Sequence, residues 1–401
     1  MSNPSVCLRA RHHASGDWVD VFCEQGTIHS ITPAAGPAPP SALHAEWVAP
    51  GLFDLQINGS HGHAFSSERL TVEEVRQVVD ACAQHGITGL CPTLITNSEE
   101  ALSHGFRVLD QACRTDPVVA RAMPGFHLEG PYLSPEDGPR GAHPRQHIRP
   151  PNLEEFQRLE EAAGGRIRLV TLAPEHDGAL PFIEKLTSWG IVVALGHTGA
   201  SGKRIQEAVR AGARLSTHLG NGSHALLPRH DNYIWEQLAE DGLWASLIAD
   251  GQHLPAAMLR CLLRVKTPAR TVLTCDASSL AGLPPGLYSE WGQELEVVAS
   301  PTGSKVVVPG TPYLAGSAVF TDTCVRHIQD VAGASLEEAL AMATLRPREL
   351  LGLPLCPVAA GAPADLVLFE HNPSTRFRVT ATIRGGVPLT PSPSPTEGRG
   401  E

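Results

Sequence analysis

Apolar residues fall in short runs along the chain, separated by amphipathic stretches with a helical period. Runs at 48–57, 87–94, 123–128, 167–173, 191–195, 215–217, 245–249 and 271–275 read as eight buried strands. Continuous apolar character bounded by turn residues suits strands covered on both faces. Thr71-Val72-Glu73-Glu74 is a capping-box pattern that opens a helix running to about His85. Further helices are predicted near 98–113, 153–163, 179–189, 202–211, 255–264, 321–332 and 336–350. Gly86, Gly190 and Gly212 stand where helix stops belong. Eight strands interleaved with helices predict an α/β fold, a (β/α)8 barrel of the TIM type. A doubly wound sheet also alternates, but no Gly-rich dinucleotide turn follows the first strand.

The two ends of the chain have strand character of a different kind. Val19-Asp20-Val21-Phe22 and Thr27 to Ile31 flank a Gln25-Gly26 turn signal and predict a hairpin. Residues 363–369 and 382–386 return to strand character. Together the ends predict a small β-sandwich domain. A second hairpin is expected over 288–310, turning at Pro301 to Gly303. The expected organisation is 1–48 and 351–389 for the small β domain and 49–350 for the barrel. A low-complexity tail, 390–401, is expected to be disordered.

Composition narrows the function. A net charge of −11 argues against a nucleic-acid or anionic-membrane partner, so an anionic ligand needs individually placed cations. No run reaches the length of a membrane span and the N-terminus lacks a secretory h-region, which predicts a cytoplasmic protein. Nine scattered cysteines without a C-x-x-C predict reduced thiols.

The polar residues that end the strands carry the chemistry. Asp54, Gln56 and Asn58 end the first strand. Glu129 ends the third, His197 the fifth, His218 the sixth, Asp250 to His253 the seventh and Asp276 the eighth. In a parallel barrel these ends ring one mouth, where catalytic groups of this fold sit. Glu129, His197 and His218 form a ligand set for a divalent metal with an open position, and Asp276 is a candidate general base and acid. His61 and His63 have H-x-H spacing but lie past the strand. At the strand end those slots hold Gln56 and Asn58, so one metal per chain is expected rather than two.

These residues resemble the amidohydrolase superfamily and, within it, the N-acetylglucosamine-6-phosphate deacetylases. The resemblance rests on APGLFDLQING (49–59), HLEGPYLSPEDGPRGAH (127–143), GHTGAS (196–201), THLGNG (217–222), IADGQH (248–253), CDASSLAG (275–282), LAGS (314–317), MATLRPRELLGL (342–353) and GAPADLVLF (361–369). It implies that Glu129, His197 and His218 bind the metal and that Asp276 moves the proton. It further implies that His143 polarises the acetyl carbonyl, and that Asn221, Gly222, Arg229 and His253 contact the substrate, Arg229 at its phosphate. Zinc is the expected ion, with Fe, Co or Mn able to share such a site. The expected substrate is an N-acetylated amino sugar phosphate, the expected assembly a homodimer. The pattern departs from the family at Asn221-Gly222-Ser223, at His230-Asp231-Asn232 after Arg229, and at Cys275. Two alternatives remain open on the residues: another amidohydrolase that uses Arg229 for a carboxylate, and a non-catalytic sugar-binding protein on a degenerate barrel.

Overall fold

The computed structural model describes residues 5–290, 293–300, 303–373 and 376–389. Pro301 and Thr302 of the expected turn, and the tail 390–401, lie outside the described residues. The chain divides into two compact units. One contains both chain ends and Asp80–Thr88; the other contains Phe53–Val79 and Gly89–Leu355.

The eight predicted strands form one sheet of eight parallel strands in chain order, as a (β/α)8 barrel requires. They are β1 (Leu52–Ile57), β2 (Ile87–Ile95), β3 (Phe126–Glu129), β4 (Ile167–Leu172), β5 (Val192–Leu195), β6 (Leu215–Ser216), β7 (Trp244–Ile248) and β8 (Thr271–Thr274). The expected first strand, 48–57, is interrupted at Gly51. A Cβ there would stand 2.2 Å from the Thr88 side chain, which fills the space any side chain at 51 would need. Leu43–Pro50 pairs instead with the strands at the chain ends. Phe53, Leu55, Leu169, Ala194, Leu215, Trp244 and Val272 fill part of the barrel unit's core, with Leu350 and Leu351 packed among them.

The ring between β1 and β8 closes differently from its other seams. Among the described residues the backbone contributes one isolated parallel bridge, Ile57 to Ala277, made in part by the Asn58 amide bonded to the Ala277 carbonyl at 2.9 Å. The buried Asp54 carboxylate supplies the rest. It accepts hydrogen bonds from Thr274 Oγ1, Thr321 Oγ1, and the Gln56 and Cys275 amides. Burial pushes its carboxyl above the ordinary range, with these four donors opposing.

The helices form where the period predicts. The capping box is present: Thr71 N donates to Glu74 Oε2 at 2.8 Å and Glu74 N to Thr71 Oγ1 at 3.3 Å. The single helix expected over 336–350 is two, Leu336–Met342 and Leu345–Leu350. Pro347, in the first turn of the second, has no N–H to continue the first. Beyond β8, four antiparallel strands form a separate sheet: β9 (Gly286–Glu290), β10 (Gln293–Ser300), β11 (Gly303–Val307) and β12 (Leu314–Ser317). The sequence predicts only a hairpin here, because the short outer strands lack alternation. Leu295, Val297, Val306 and Ala315 make its apolar core.

In the other unit, strands from both ends join in one seven-stranded sheet. Leu43–Pro50 and Val6–His12 lie side by side at its centre, with Leu366–Glu370 pairing on Leu43–Pro50. The predicted hairpin is present between Trp18–Glu24 and Thr27–Pro33. Gln25 and Gly26 both have positive φ, 50° and 79°, the backbone of a tight two-residue hairpin turn. Leu8, Val21, Ile28, Val48, Leu366 and Ile383 are fully buried in its core.

Candidate active site

Glu129 is the last residue of β3, and its Oε1 is the centre of the site. His218 Nε2 lies 3.1 Å from it, Gln56 Nε2 3.0 Å and His197 Nε2 3.4 Å. The two imidazole Nε2 atoms are 3.1 Å apart, and His143 Nε2 lies 3.2 Å from that of His197. Four potential ligand atoms thus converge from β3, β5, β6 and the loop after β3. Glu129, His143 and His197 alone already meet as a cluster able to hold a metal ion.

Two details fit the cluster to a cation. His197 Nδ1 is 2.8 Å from the Pro139 carbonyl oxygen, which can only accept. Nδ1 therefore carries the proton, and the Nε2 lone pair points inward at the other donors, the arrangement that orients metal-binding imidazoles. Lone pairs and a carboxylate crowded within 3.1–3.4 Å of one another repel unless a cation or protons lie among them. Glu129 shows the same demand. Burial alone would raise its carboxyl, but the hydrogen bonds and charge of His197 and His218 outweigh it and hold Glu129 well below the usual carboxylate range. The fold and this donor set suit a divalent metal.

Asp276 faces the cluster from β8. Its Oδ1 accepts Gln56 Nε2 at 3.0 Å and Asn58 Nδ2 at 2.7 Å. Gln56 Nε2 thus bridges Glu129 and Asp276 with N–H groups, in the position between two carboxylates where a second cation would otherwise sit. Burial, then the charge of Glu129, pushes Asp276 up to about 8. His143 moves the other way: burial and His197 push it down to about 3, so it is a neutral imidazole at pH 7. Its Nδ1 lies 3.0 Å from Thr96 Oγ1.

The backbone is strained at this mouth. His197, His218 and Asp276 each lie two residues beyond their strand and take φ of 51°, 29° and 53°. Non-glycine residues held in that region cost about 1–3 kcal/mol each, and such positions concentrate at functional sites. Gly222 lies beside them with φ +55°, and a Cβ there would stand 2.7 Å from His197 Nδ1. A glycine at 222 lets the loop lie against the imidazole.

A cavity of about 520 Å³ opens above the cluster. Of the expected residues, Glu129, His143, His197, His218, Asn221, Gly222, His253 and Asp276 line it. Asn221 is braced by its Nδ2 to the His218 carbonyl at 3.1 Å. His253 Nδ1 bonds Asp250 Oδ2 at 2.7 Å, and this partner holds the Asp250 carboxyl down against burial. Arg229 is not brought to this cavity. Its side chain is exposed and outside the lining. Of the altered residues after it, Asn232 caps the helix Tyr233–Ala239 and donates to the Pro228 carbonyl. His61 and His63 also stay outside the cavity lining; His63 pairs with Glu74 at 3.3 Å. Gln252 and Lys305 line the cavity too, and neither is a candidate on sequence grounds. Gln252 is legible as part of IADGQH, whereas Lys305 lies on the inserted sheet with no motif around it.

No protein-family model matches the chain. Curated proteins do. The chain is 39% identical over 353 residues to N-acetylglucosamine-6-phosphate deacetylase of Bos taurus, spanning 84% of this chain and 82% of that one. It is 31% identical over 387 residues to N-acetylgalactosamine-6-phosphate deacetylase of Escherichia coli O157:H7, spanning 94% and 95%. The solved structure of N-acetyl-D-glucosamine-6-phosphate deacetylase from Mycobacterium smegmatis, a mutant in complex with N-acetyl-D-glucosamine-6-phosphate, superposes with a TM-score of 0.84 at 30% identity, over 95% of this chain and 98% of that one. With this identity and coverage, the chain belongs to the N-acetylglucosamine-6-phosphate deacetylase family of the amidohydrolase superfamily.

Proposed function

We propose that the chain hydrolyses the N-acetyl group of N-acetylglucosamine 6-phosphate, giving glucosamine 6-phosphate and acetate. The observation that carries this reading is the convergence of Glu129, His197 and His218 opposite Asp276 across one cavity. A divalent ion held by those three residues supplies Lewis acidity and a water acidified toward neutral pKa. We assign zinc, because two imidazoles and one carboxylate suit it, and one ion per chain, because Gln56 Nε2 fills the space between Glu129 and Asp276.

The chain's own residues do the rest. Both amides bind Asp276 Oδ1, which leaves Oδ2 to take the proton as the water adds to the acetyl carbon. Asp276 returns that proton to the sugar nitrogen as the C–N bond breaks. Neutral His143, accepting from Thr96 at Nδ1, donates from Nε2 to the acetyl oxygen as negative charge develops there. Asn221, Gly222 and His253 form the walls that hold the sugar. Arg229 keeps its assignment by motif spacing alone. A homodimer is the assembly the resemblance implies, and the cytoplasm is the location the scattered cysteine thiols favour. Exposed Leu226 and Trp235, on either side of Arg229, support the homodimer by offering apolar surface to a second copy.

Acetate release from a panel of N-acetyl sugars and N-acyl amino acids, with metal content measured alongside, tests the reading. Turnover of the 6-phosphorylated N-acetylhexosamine far above all others is expected. Preference for an N-acyl amino acid would move the chain to another amidohydrolase activity. The panel includes the galactosamine epimer, because one relative is named for that sugar.

A further inference from the structure

Four donor atoms meet at the barrel mouth, and the ligand set above uses three of them, on Glu129, His197 and His218. The fourth, His143 Nε2, lies 3.2 Å from His197 Nε2. Two ligands of one tetrahedral ion, at bond lengths of about 2.0–2.1 Å, stand roughly 3.3 Å apart, so distance alone makes His143 a ligand as well. What decides between ligand and hydrogen-bond donor is which ring nitrogen carries the proton. A neutral imidazole has one N–H and one lone pair, and a ligand must turn its lone pair to the ion.

Two independent contacts put that proton on Nε2. At the inner end of the ring, His197 Nε2 presents a lone pair, because its Nδ1 donates to the Pro139 carbonyl. A second lone pair 3.2 Å away would repel it, whereas an N–H there makes a hydrogen bond. At the outer end, His143 Nδ1 lies 3.0 Å from Thr96 Oγ1. Thr96 is buried, and among the described residues His143 is the one hydrogen-bond partner of its hydroxyl. With Nδ1 accepting, the hydroxyl proton is used. With Nδ1 protonated, the hydroxyl would have to accept, and its own proton would be buried without a partner, which is costly.

Thr96 is held where it can do this. It follows β2 by one residue. The Ile95 amide before it donates to Ser66 Oγ at 2.8 Å, and the Asn97 carbonyl after it accepts Arg149 Nη1 at 3.0 Å. Gly130, directly after Glu129, has φ +80°, and a Cβ there would stand 2.2 Å from Thr96 Oγ1. A glycine at 130 thus gives the hydroxyl its place beside the strand that carries the carboxylate ligand. His143 is fixed from its own loop: its carbonyl accepts Arg140 Nη1 at 2.9 Å, and its amide donates to the Arg140 carbonyl at 3.2 Å.

We propose that Thr96 is a positioning residue whose hydroxyl, by donating to His143 Nδ1, keeps that ring out of the metal-ligand set and leaves its Nε2–H facing the cavity. Without the hydroxyl, nothing on the outer side holds the proton on Nε2. A cation in the cluster then draws the Nε2 lone pair inward, the ring proton moves to Nδ1, and the group that should donate to the substrate becomes a fourth ligand. This inference rests on the deacetylase reading above for the group that His143 serves, and it makes a separate statement about the ligand count.

Cobalt(II), an ion such a site accepts, reads the ligand set without any turnover, because its visible absorption follows the number and kind of its ligands. Spectra are compared for the cobalt-loaded full chain, for Thr96→Val, which keeps the branched shape without the hydroxyl, for His143→Gln and for the double variant. His143→Gln should leave the parent's spectrum unchanged. Thr96→Val should shift it, and adding His143→Gln to Thr96→Val should bring the parent's spectrum back. Thr96→Ser, which keeps the hydroxyl, should match the parent. A parent spectrum that changes on His143→Gln, or a Thr96→Val spectrum identical to the parent's, would overturn the proposal. Failure of Thr96→Val to hold cobalt at all would do the same, since it would make the hydroxyl merely structural. In the metal-loaded full chain, acetate release from N-acetylglucosamine 6-phosphate gives the second readout. Thr96→Val should lower kcat by about ten- to a hundredfold with KM close to the parent's, and Thr96→Ser should restore most of it. A loss in Thr96→Ser equal to that in Thr96→Val, or a Thr96→Val kcat within about threefold of the parent's, counts against the proposal. The two readings stay separable: a parent that releases no acetate removes the deacetylase reading, while the cobalt spectra still decide the role of Thr96.

Discussion

Replacing Asp276 by Asn separates two consequences of a single environment. The carboxylate is buried, and Oδ1 accepts N–H groups from Gln56 and Asn58. An Asn oxygen can accept the same two, so the shape of the site survives and the proton carrier does not. General acid–base groups contribute about 10²–10⁴-fold, so kcat should fall by about that range with metal retained. Stability should move the other way. In metal-stripped protein Asp276 titrates near 8, against 3.8 ordinarily. A group whose folded pKa is raised contributes stability below its unfolded pKa and loses it as pH rises through the folded value. Between the two, each pH unit costs the folded state about 1.4 kcal/mol. From pH 5 to pH 7.5 that amounts to on the order of 3 kcal/mol, which Asn does not incur. Urea unfolding of metal-stripped parent and variant at the two pH values should therefore show Asp276→Asn gaining relative stability as pH rises. A stability difference that stays flat between pH 5 and 7.5 would refute the burial argument, and a kcat within fivefold of the parent would remove Asp276 from proton transfer.

Glu129→Gln replaces the anionic centre of the ligand set with a neutral amide, so elemental analysis after dialysis should find well under one divalent ion per chain. The parent should retain about one, and two stoichiometric ions would contradict the bridging role of Gln56. Glu160 is pushed up to about 7 by burial, despite accepting the Ile167 amide at 3.1 Å. Its contribution is present below pH 4.5 and lost as pH rises through 7; with the full linkage of about 3 kcal/mol discounted for its half-buried position, Glu160→Gln should stabilise the chain by roughly 1–2 kcal/mol at pH 8 and by almost nothing at pH 4, read from denaturant midpoints. Gly222→Val adds a branched side chain at φ +55° against His197 and should lower both metal retention and kcat, while Ser223→Ala, one residue on, should leave metal content unchanged.

The barrel was legible because buried parallel strands write themselves as apolar runs, and the mouth was legible because Glu129, His197, His218 and Asp276 each terminate such a run. The break at Gly51 was not, since the side chain packed against that glycine is Thr88, 37 positions away in sequence. Asp54 read as one more polar strand end, yet its acceptors face Thr274, Cys275 and Thr321 rather than the cavity. Only the closed ring brings those groups together. Arg229 carried the right spacing from His218, but spacing does not fix direction, and its side chain is exposed outside the cavity lining. Lys305 was invisible for the opposite reason. Its place follows from a ladder to Ser317, whose amide bonds the Asp276 carbonyl, and neither tie leaves a local sequence signature.

The join between β1 and β8 also sets how the ring breathes. Opening a full parallel ladder means breaking several backbone bonds together. Here, among the described residues, there is one bridge, which includes the Asn58 amide, and the fan of donors around Asp54. Parting at that join would draw Gln56 and Asn58 away from Asp276 while leaving the Glu129, His197 and His218 side assembled. A sugar that touches Asp276 at one edge and the histidine cluster at the other would act as a rivet across this join. Filling the cavity therefore tightens the whole ring, and the amides of Asn58 and Cys275 become the places where hydrogen exchange slows most when it is filled.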